Sequence, residues 1–292
     1  MTAAATPARM PASLVLAGAG KMGGAMLAGW LESGLDPHAT TIVDPVPSRE
    51  IADLCSARGI RLNPAEAEPG AVLVLAIKPQ GLEAAAPGLD RLVGRDTLLV
   101  SILAGKTVAD LRARLPRARA VVRAMPNLPA SIGRGATGAC ASPEVTPAQR
   151  DAADALFSAN GAVAWLADEA QIDAVTAVSG SGPAYVFLLA ETLAEAGIAA
   201  GLDPDVARTL ARATVSGAGA LLDASPAEAA ELRRNVTSPG GTTAAALDVL
   251  MRPDGLAPLM REAVAPGRRA RRLTSVRHRR ATALPIAAAI PR

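Results

Sequence analysis

Histidine is nearly absent: His38, beside a proline, and His278, close to the C-terminus, are the only two in 292 residues. A histidine-based triad or a histidine-rich metal site has too few residues to be built. Cysteine is equally scarce. Cys55 and Cys140 stand alone, with no CxxC spacing and no neighbouring metal ligands, and read as small buried hydrophobes in a reducing compartment. The aromatics are Trp30, Phe157, Trp165, Tyr185 and Phe187 and no others, so the core has to be made of Ala, Val, Leu and Ile. Stacking platforms for single-stranded nucleic acid are therefore not expected.

The body of the chain also lacks excess positive charge. The formal charge is +3, but residues 266–292 carry eight arginines and no acid, which leaves 22 basic against 27 acidic residues in 1–265. A nucleic-acid-binding face needs clustered Lys and Arg, and an acidic body argues against one. No signal peptide is evident, since LVLAGAG is short and broken by glycine; a cytoplasmic location is the expectation. The longest apolar stretch, 174–201, contains Glu191 and Glu195 and is interrupted by Gly-Ser-Gly-Pro, so it reads as a buried helix rather than a membrane span.

What is present is organised. From residue 13, short β-rich runs alternate with helical segments: SLVLAG, KMGGAMLAGWLESG, TTIVD, SREIADLCSARG, AVLVLAIKP, and so on through TLLVSILAG and AVVRAMPN to AVAWLA. Continuous apolar strands, each followed by a helix, are the pattern of a parallel α/β sheet. The α/β domain is expected to run from 13 to 165 after a flexible 1–12, with an all-α domain over 166–265 and a loosely packed basic tail over 266–292. Asp203-Pro204 starts one helix of the second domain, and Ser225-Pro226 with Glu228 is expected to start another over AEAAELRRN. Small residues in SGSGPA and GAGALL suit close helix packing in an intertwined oligomer, with a bundle closed within one chain as the alternative.

GAGKMG follows the first strand and opens a helix, with Gly18, Gly20 and Gly23 in GxGxxG spacing around Ala19, Lys21 and Met22. Such a turn brings a pyrophosphate against backbone N–H groups at a positive helix end, which points to a dinucleotide. Asp44, ending the next strand, suits a ribose 2′-OH and hence NADH, while Ser48 and Arg49 suit the 2′-phosphate of NADPH. The sequence offers both. Further along, Ala76, Ile77, Lys78 and Pro79 close a strand and are expected beside the cofactor, as are Ala104 and Gly105 in SILAG. TSPGGTT (237–243) sets Pro239-Gly240, a type II turn signal, before Gly241, Thr242 and Thr243 at a helix start. Backbone N–H groups exposed there suit a carboxylate.

GAGKMG, AIKP, SILAGKT, RAMPN, DAVTAVSGSGPAY and NVTSPGGTT, in this order, resemble the pyrroline-5-carboxylate reductases over about 13–264. The resemblance implies an N-terminal Rossmann domain, a helical domain that forms a homodimer and often larger rings, and reduction of 1-pyrroline-5-carboxylate to L-proline by NADPH or NADH. It implies cofactor contacts at the glycine turn, Asn63, the 76–79 strand end, Ala104-Gly105 and Asn235, and substrate contacts at Glu169, Gly240, Gly241, Thr242 and Thr243. Thr243 would be the catalytic hydrogen-bond partner. No metal, nucleic acid or membrane is implied. This chain departs from the family at Asp44-Pro45, where Ser or Asn types are common, and in its arginine-rich tail. A β-hydroxyacid dehydrogenase is the rival enzyme class, but these use a helix-borne lysine and no lysine follows Lys106. A non-catalytic dinucleotide sensor is the rival outside enzymes.

Overall fold

In the computed structural model, which describes residues 9–265, the apolar runs become eight strands. They are β1 (Leu14–Ala17), β2 (Thr40–Val43), β3 (Arg61–Leu62), β4 (Val72–Leu75), β5 (Leu98–Ser101), β6 (Ala120–Met125), β7 (Gly135–Ala141) and β8 (Gly161–Trp165). Between them lie α1 (Lys21–Glu32), α2 (Arg49–Arg58), α3 (Leu82–Asp90), α4 (Val108–Arg114) and α5 (Pro147–Ser158). The sheet order is β3-β2-β1-β4-β5-β6-β7-β8, parallel except where β6 meets β7.

Every residue of β1, β4 and β5 is buried, because both faces of the sheet are covered. Strand alternation divides their side chains between two cores. Leu14, Leu16, Val74 and Val100 pack with Met26, Trp30 and Phe157, whereas Val15, Leu73, Leu75 and Leu99 pack with Leu82, Leu89 and Leu111. Each large apolar side chain so buried contributes roughly 1.5–3 kcal/mol. The few aromatics are well used: Trp30 is fully buried and its Nε1 donates to the Leu156 carbonyl at 2.7 Å, tying α1 to α5. Cys55 and Cys140 are free and buried, and burial pushes both thiols up.

The sheet departs from the expected one at β7. GATGACA has almost no β-branched residue and gives no strand signal, yet it pairs antiparallel with β6 and parallel with β8. Its composition answers to space: a Cβ on Gly138 would lie 2.6 Å from the Val175 side chain, and one on Gly135 2.9 Å from Ala130. The strands end at Trp165, as expected, but the compact units divide later, between Gly180 and Ser181. The first unit thus also holds α6 (Ile172–Val175) and the π turn Thr176–Gly180, with Val175 in the space a Cβ on Gly138 of β7 would take and Met125 of β6 beside Gly180.

The second unit contains α7 (Gly182–Ala199), α8 (Pro204–Ala224), α9 (Ala229–Asn235), α10 (Thr242–Leu250) and α11 (Leu256–Val264). Asp203 caps α8 through the Asp205 and Val206 N–H groups, with Pro204 in the first turn. Ser225-Pro226 does not start α9. Ser225 accepts from Ala227 N–H in the turn after α8, and Glu228 holds the N-cap position. A Cβ added at Gly197 would lie 3.3 Å from that of Ala207, whereas Gly182, Gly217 and Gly219 of the segments expected to pack closely have nothing within 4 Å of the corresponding position. Only Ala194, Ala207 and Ala211 are buried among the unit's described residues, while Val186, Phe187, Leu188, Leu189 and Leu193 of α7 are exposed. A bundle closed within one chain would need a larger core than three alanines. By length and composition alone, Glu169–Ala199 also suffices to cross a membrane, with mean hydropathy 1.3. The basic tail lies outside the described residues.

Candidate functional site

The glycine turn links β1 to α1 at the point where the sheet order reverses, β1 lying between β2 and β4. Crevices at such points receive ligands in open α/β sheets. Gly18 has φ +90° and packs against the Ala76–Ile77 backbone, where an added Cβ would sit 2.9 Å from backbone atoms. Gly23 is tighter still, its Cβ falling 2.2 Å from the Gly18 carbonyl oxygen. Gly20 differs. Nothing lies within 4 Å of its Cβ position, it is exposed, and it occupies the N-cap of α1 without any side-chain cap. Protein packing thus explains Gly18 and Gly23, whereas Gly20 keeps open the approach to the uncapped helix end. That cradle fits a dinucleotide pyrophosphate.

At the end of β2, Asp44 Oδ2 accepts from Ala19 N–H at 2.8 Å and Oδ1 from Val46 N–H at 2.9 Å. Asn63, at φ +46°, clamps the same residue: its Oδ1 accepts from Asp44 N–H at 2.9 Å and its Nδ2 donates to the Asp44 carbonyl at 2.7 Å. The structure therefore brings Asn63, Asp44 and the glycine turn together. Ser48 caps α2 by accepting from Ile51 N–H, and Arg49 turns toward Asp53 at 3.6 Å. Ala76 and Ile77 abut Gly18, while Lys78 is exposed before the short turn Pro79–Gly81. Ala104 and Gly105 lie exposed after β5, with Gly105 at φ +76°.

Glu169 belongs to the first unit. Its Oε1 accepts from the Val108 N–H at the start of α4, at 2.8 Å, and from Arg123 Nη1 at 3.0 Å. Arg123 is 4% exposed in the middle of β6, and its Nε has no partner. Arg123 is a functional candidate to which no motif assigns a role, although a lone arginine inside the run AVVRAM is itself a signal, because a buried guanidinium requires an anion. Asn127 was likewise unassigned. Its Oδ1 accepts from Ala136 N–H at 2.8 Å and its Nδ2 donates to the Ser179 carbonyl at 3.0 Å, so it braces the π turn.

In the second unit, Gly241 N–H donates to the Ser238 carbonyl at 3.0 Å across Pro239-Gly240, with Gly240 at φ +70°, as a type II turn requires. Gly241 is the N-cap of α10 and no side chain caps the helix. Thr242 and Thr243 occupy its first two positions, both exposed, so neither threonine is the cap. Asn235 ends α9 just before the turn. Among the described residues no group of three or more His, Cys, Asp or Glu is placed to hold a metal ion.

Residues 169–273 match the family model described as pyrroline-5-carboxylate reductase dimerisation, and 13–105 match one described as NADP oxidoreductase coenzyme F420-dependent. The chain is 43% identical over 233 residues to a pyrroline-5-carboxylate reductase of Pseudomonas aeruginosa, covering 79% of this chain and 85% of that protein. It is 37% identical over 248 residues to the one from Pasteurella multocida, covering 82% and 89%. A solved pyrroline-5-carboxylate reductase from Coxiella burnetii superposes with a TM-score of 0.83 at 31% identity, covering 90% of this chain and 98% of the other.

Proposed function

Because the chain belongs to the pyrroline-5-carboxylate reductase family, we propose that it reduces the C=N bond of 1-pyrroline-5-carboxylate to give L-proline. NAD(P)H, when bound, supplies the hydride. The observation that carries the substrate site is the turn before α10: a type II turn followed by a helix start that no side chain caps, with two threonines in its first turn. The helix N-terminus offers N–H donors and a positive dipole end to the substrate carboxylate. Thr243 offers a hydroxyl to the ring nitrogen. A protonated cyclic imine accepts hydride readily, so the protein has more to gain from holding it in place than from a strong acid. A chain with two histidines is suited to that division of labour.

The assay is direct: the purified protein is incubated with 1-pyrroline-5-carboxylate and either nicotinamide cofactor while the reduced-nicotinamide absorbance is followed. Turnover supports the reading; no turnover by a folded protein that binds the cofactor would leave the sensor reading in its place. Thr243→Ala is expected to lower kcat by at least about tenfold, the loss typical of a missing proton-transfer or hydrogen-bond partner. An unchanged kcat would remove Thr243 from the chemistry.

The exposed apolar face of α7 is assigned to a homodimer interface, in keeping with the dimerisation model that covers it. Phe187, 59% exposed in the single chain, becomes an anchor in that reading. Phe187→Glu is expected to shift the species seen by light scattering from dimer or larger to monomer, since a buried unpaired charge costs several kcal/mol. Retention of the assembly would exclude this face. A small-molecule site and an apolar face taken up by a second copy are consistent with a cytoplasmic protein that engages neither nucleic acid nor membrane.

A further inference from the structure

We infer that the dinucleotide site of this chain selects NADH over NADPH and that Asp44 sets the preference. This rests on the glycine turn being the dinucleotide site proposed above. Asp44 stands at the C-terminal end of β2, one strand from the turn that receives the pyrophosphate, where the adenosine ribose passes in sheets of this topology. Its carboxylate is fixed on both oxygens, by Ala19 N–H at 2.8 Å and Val46 N–H at 2.9 Å, and its backbone is held on both sides by Asn63. An ionised carboxylate offers about four lone-pair positions, so after these two bonds about two remain for ribose hydroxyls. A 2′-OH donates to them. A 2′-phosphate has no donor to offer when fully ionised and brings its charge against one that cannot swing away.

The groups that would reverse this preference each face a carboxylate of the protein itself. Ser48 accepts from the Ile51 N–H as the cap of α2, and its hydroxyl donates to the Glu50 carboxylate. Arg49 faces Asp53 at 3.6 Å, with both side chains largely in solvent. Glu50 occupies the first turn of the same helix, and the Ser48 hydroxyl and its own backbone N–H hold its carboxyl below the usual carboxylate range. The positive end of α2 is thereby matched by a carboxylate belonging to the protein. A 2′-phosphate entering here would meet two anions, Asp44 and Glu50, and one solvated arginine already beside an acid.

Calorimetric titration of the full-length protein with NADH and NADPH, and with the fragments 5′-AMP and 2′,5′-ADP, reads the preference without turnover. NADH is expected to bind at least about tenfold more tightly than NADPH, with the fragments in the same order, as for one lost charged hydrogen bond or more. Asp44→Asn keeps one acceptor for the Ala19 N–H and removes the charge, and is expected to tighten NADPH by about fivefold or more while NADH holds or weakens. Asp44→Ser is the second variant should the amide disturb the turn, and the same narrowing is expected. Arg49→Ala is expected to leave NADPH affinity within about twofold, as a solvated ion pair contributes little. Equal binding of the two cofactors, tighter NADPH, a ratio indifferent to both Asp44 variants, or a large loss of NADPH affinity in Arg49→Ala would overturn the inference. Failure of the folded protein to bind either cofactor would overturn the dinucleotide site itself.

Discussion

Glu169→Ala is expected to lower the unfolding free energy of the N-terminal unit by about 3–5 kcal/mol, the cost of leaving a buried charge without its partner. The reason lies in Arg123 rather than in Glu169. The arginine side chain is 5% exposed, cannot shed its proton, and has Glu169 as its ion-pair partner, while the glutamate itself is 29% exposed and could find water. Urea titration of the variant by circular dichroism gives the measurement. The double variant Glu169→Ala, Arg123→Met removes the stranded charge and is expected to recover most of the loss, because replacing both members of a buried pair with apolar groups is often neutral. The pair of experiments also separates two roles. If the double variant is stable but binds substrate poorly, Glu169 contributes to the substrate site in addition to holding Arg123. Full activity in the stable double variant would reduce Glu169 to a structural anchor.

Arg123 and Glu169 also show where the sequence stops being readable. Each lies in a motif that was legible, RAMPN and the segment before DAVTAVSGSG, but 46 positions separate them and nothing in either motif names the other. The glycine turn could be read because its constraints are local: strand, tight turn and helix start follow one another within ten residues of chain. For the same reason Asp203-Pro204 marked a true helix start. Ser225-Pro226 carried a similar local signal and failed, because Glu228 took the cap and Ser225 was drawn into the preceding turn. β7 was invisible because its glycines answer to the distant Val175 side chain and Asn160 carbonyl, not to strand propensity. The π turn at Thr176–Gly180 is similar. Its Ser179 carbonyl is held by Asn127, a contact made across the fold.

Two glycines of the same turn are expected to fail in different ways, which tests whether the turn is built for a ligand. In Gly23→Ala the new Cβ would lie 2.2 Å from the Gly18 carbonyl oxygen and 3.0 Å from the Ala76 side chain, and the first of these is backbone that cannot rotate aside. The turn has to open, at a cost near the upper end of the 1–3 kcal/mol typical of overpacking. Since opening displaces the N–H groups proposed to hold the pyrophosphate, NADH affinity is expected to fall by about a hundredfold, together with a measurable drop in unfolding midpoint. In Gly20→Ala the new methyl meets no protein atom within 4 Å, so the unfolding midpoint should hold or rise slightly as the unfolded chain loses freedom. NADH affinity should nonetheless fall, because the space the methyl fills is the approach to the helix end. Calorimetry for binding and thermal unfolding of the unliganded protein for stability give both readouts for both variants. A Gly20→Ala protein that binds NADH as the parent does would mean that the opening at Gly20 is not where the pyrophosphate lies, and the cradle would have to be sought elsewhere along the β1–β4 crevice.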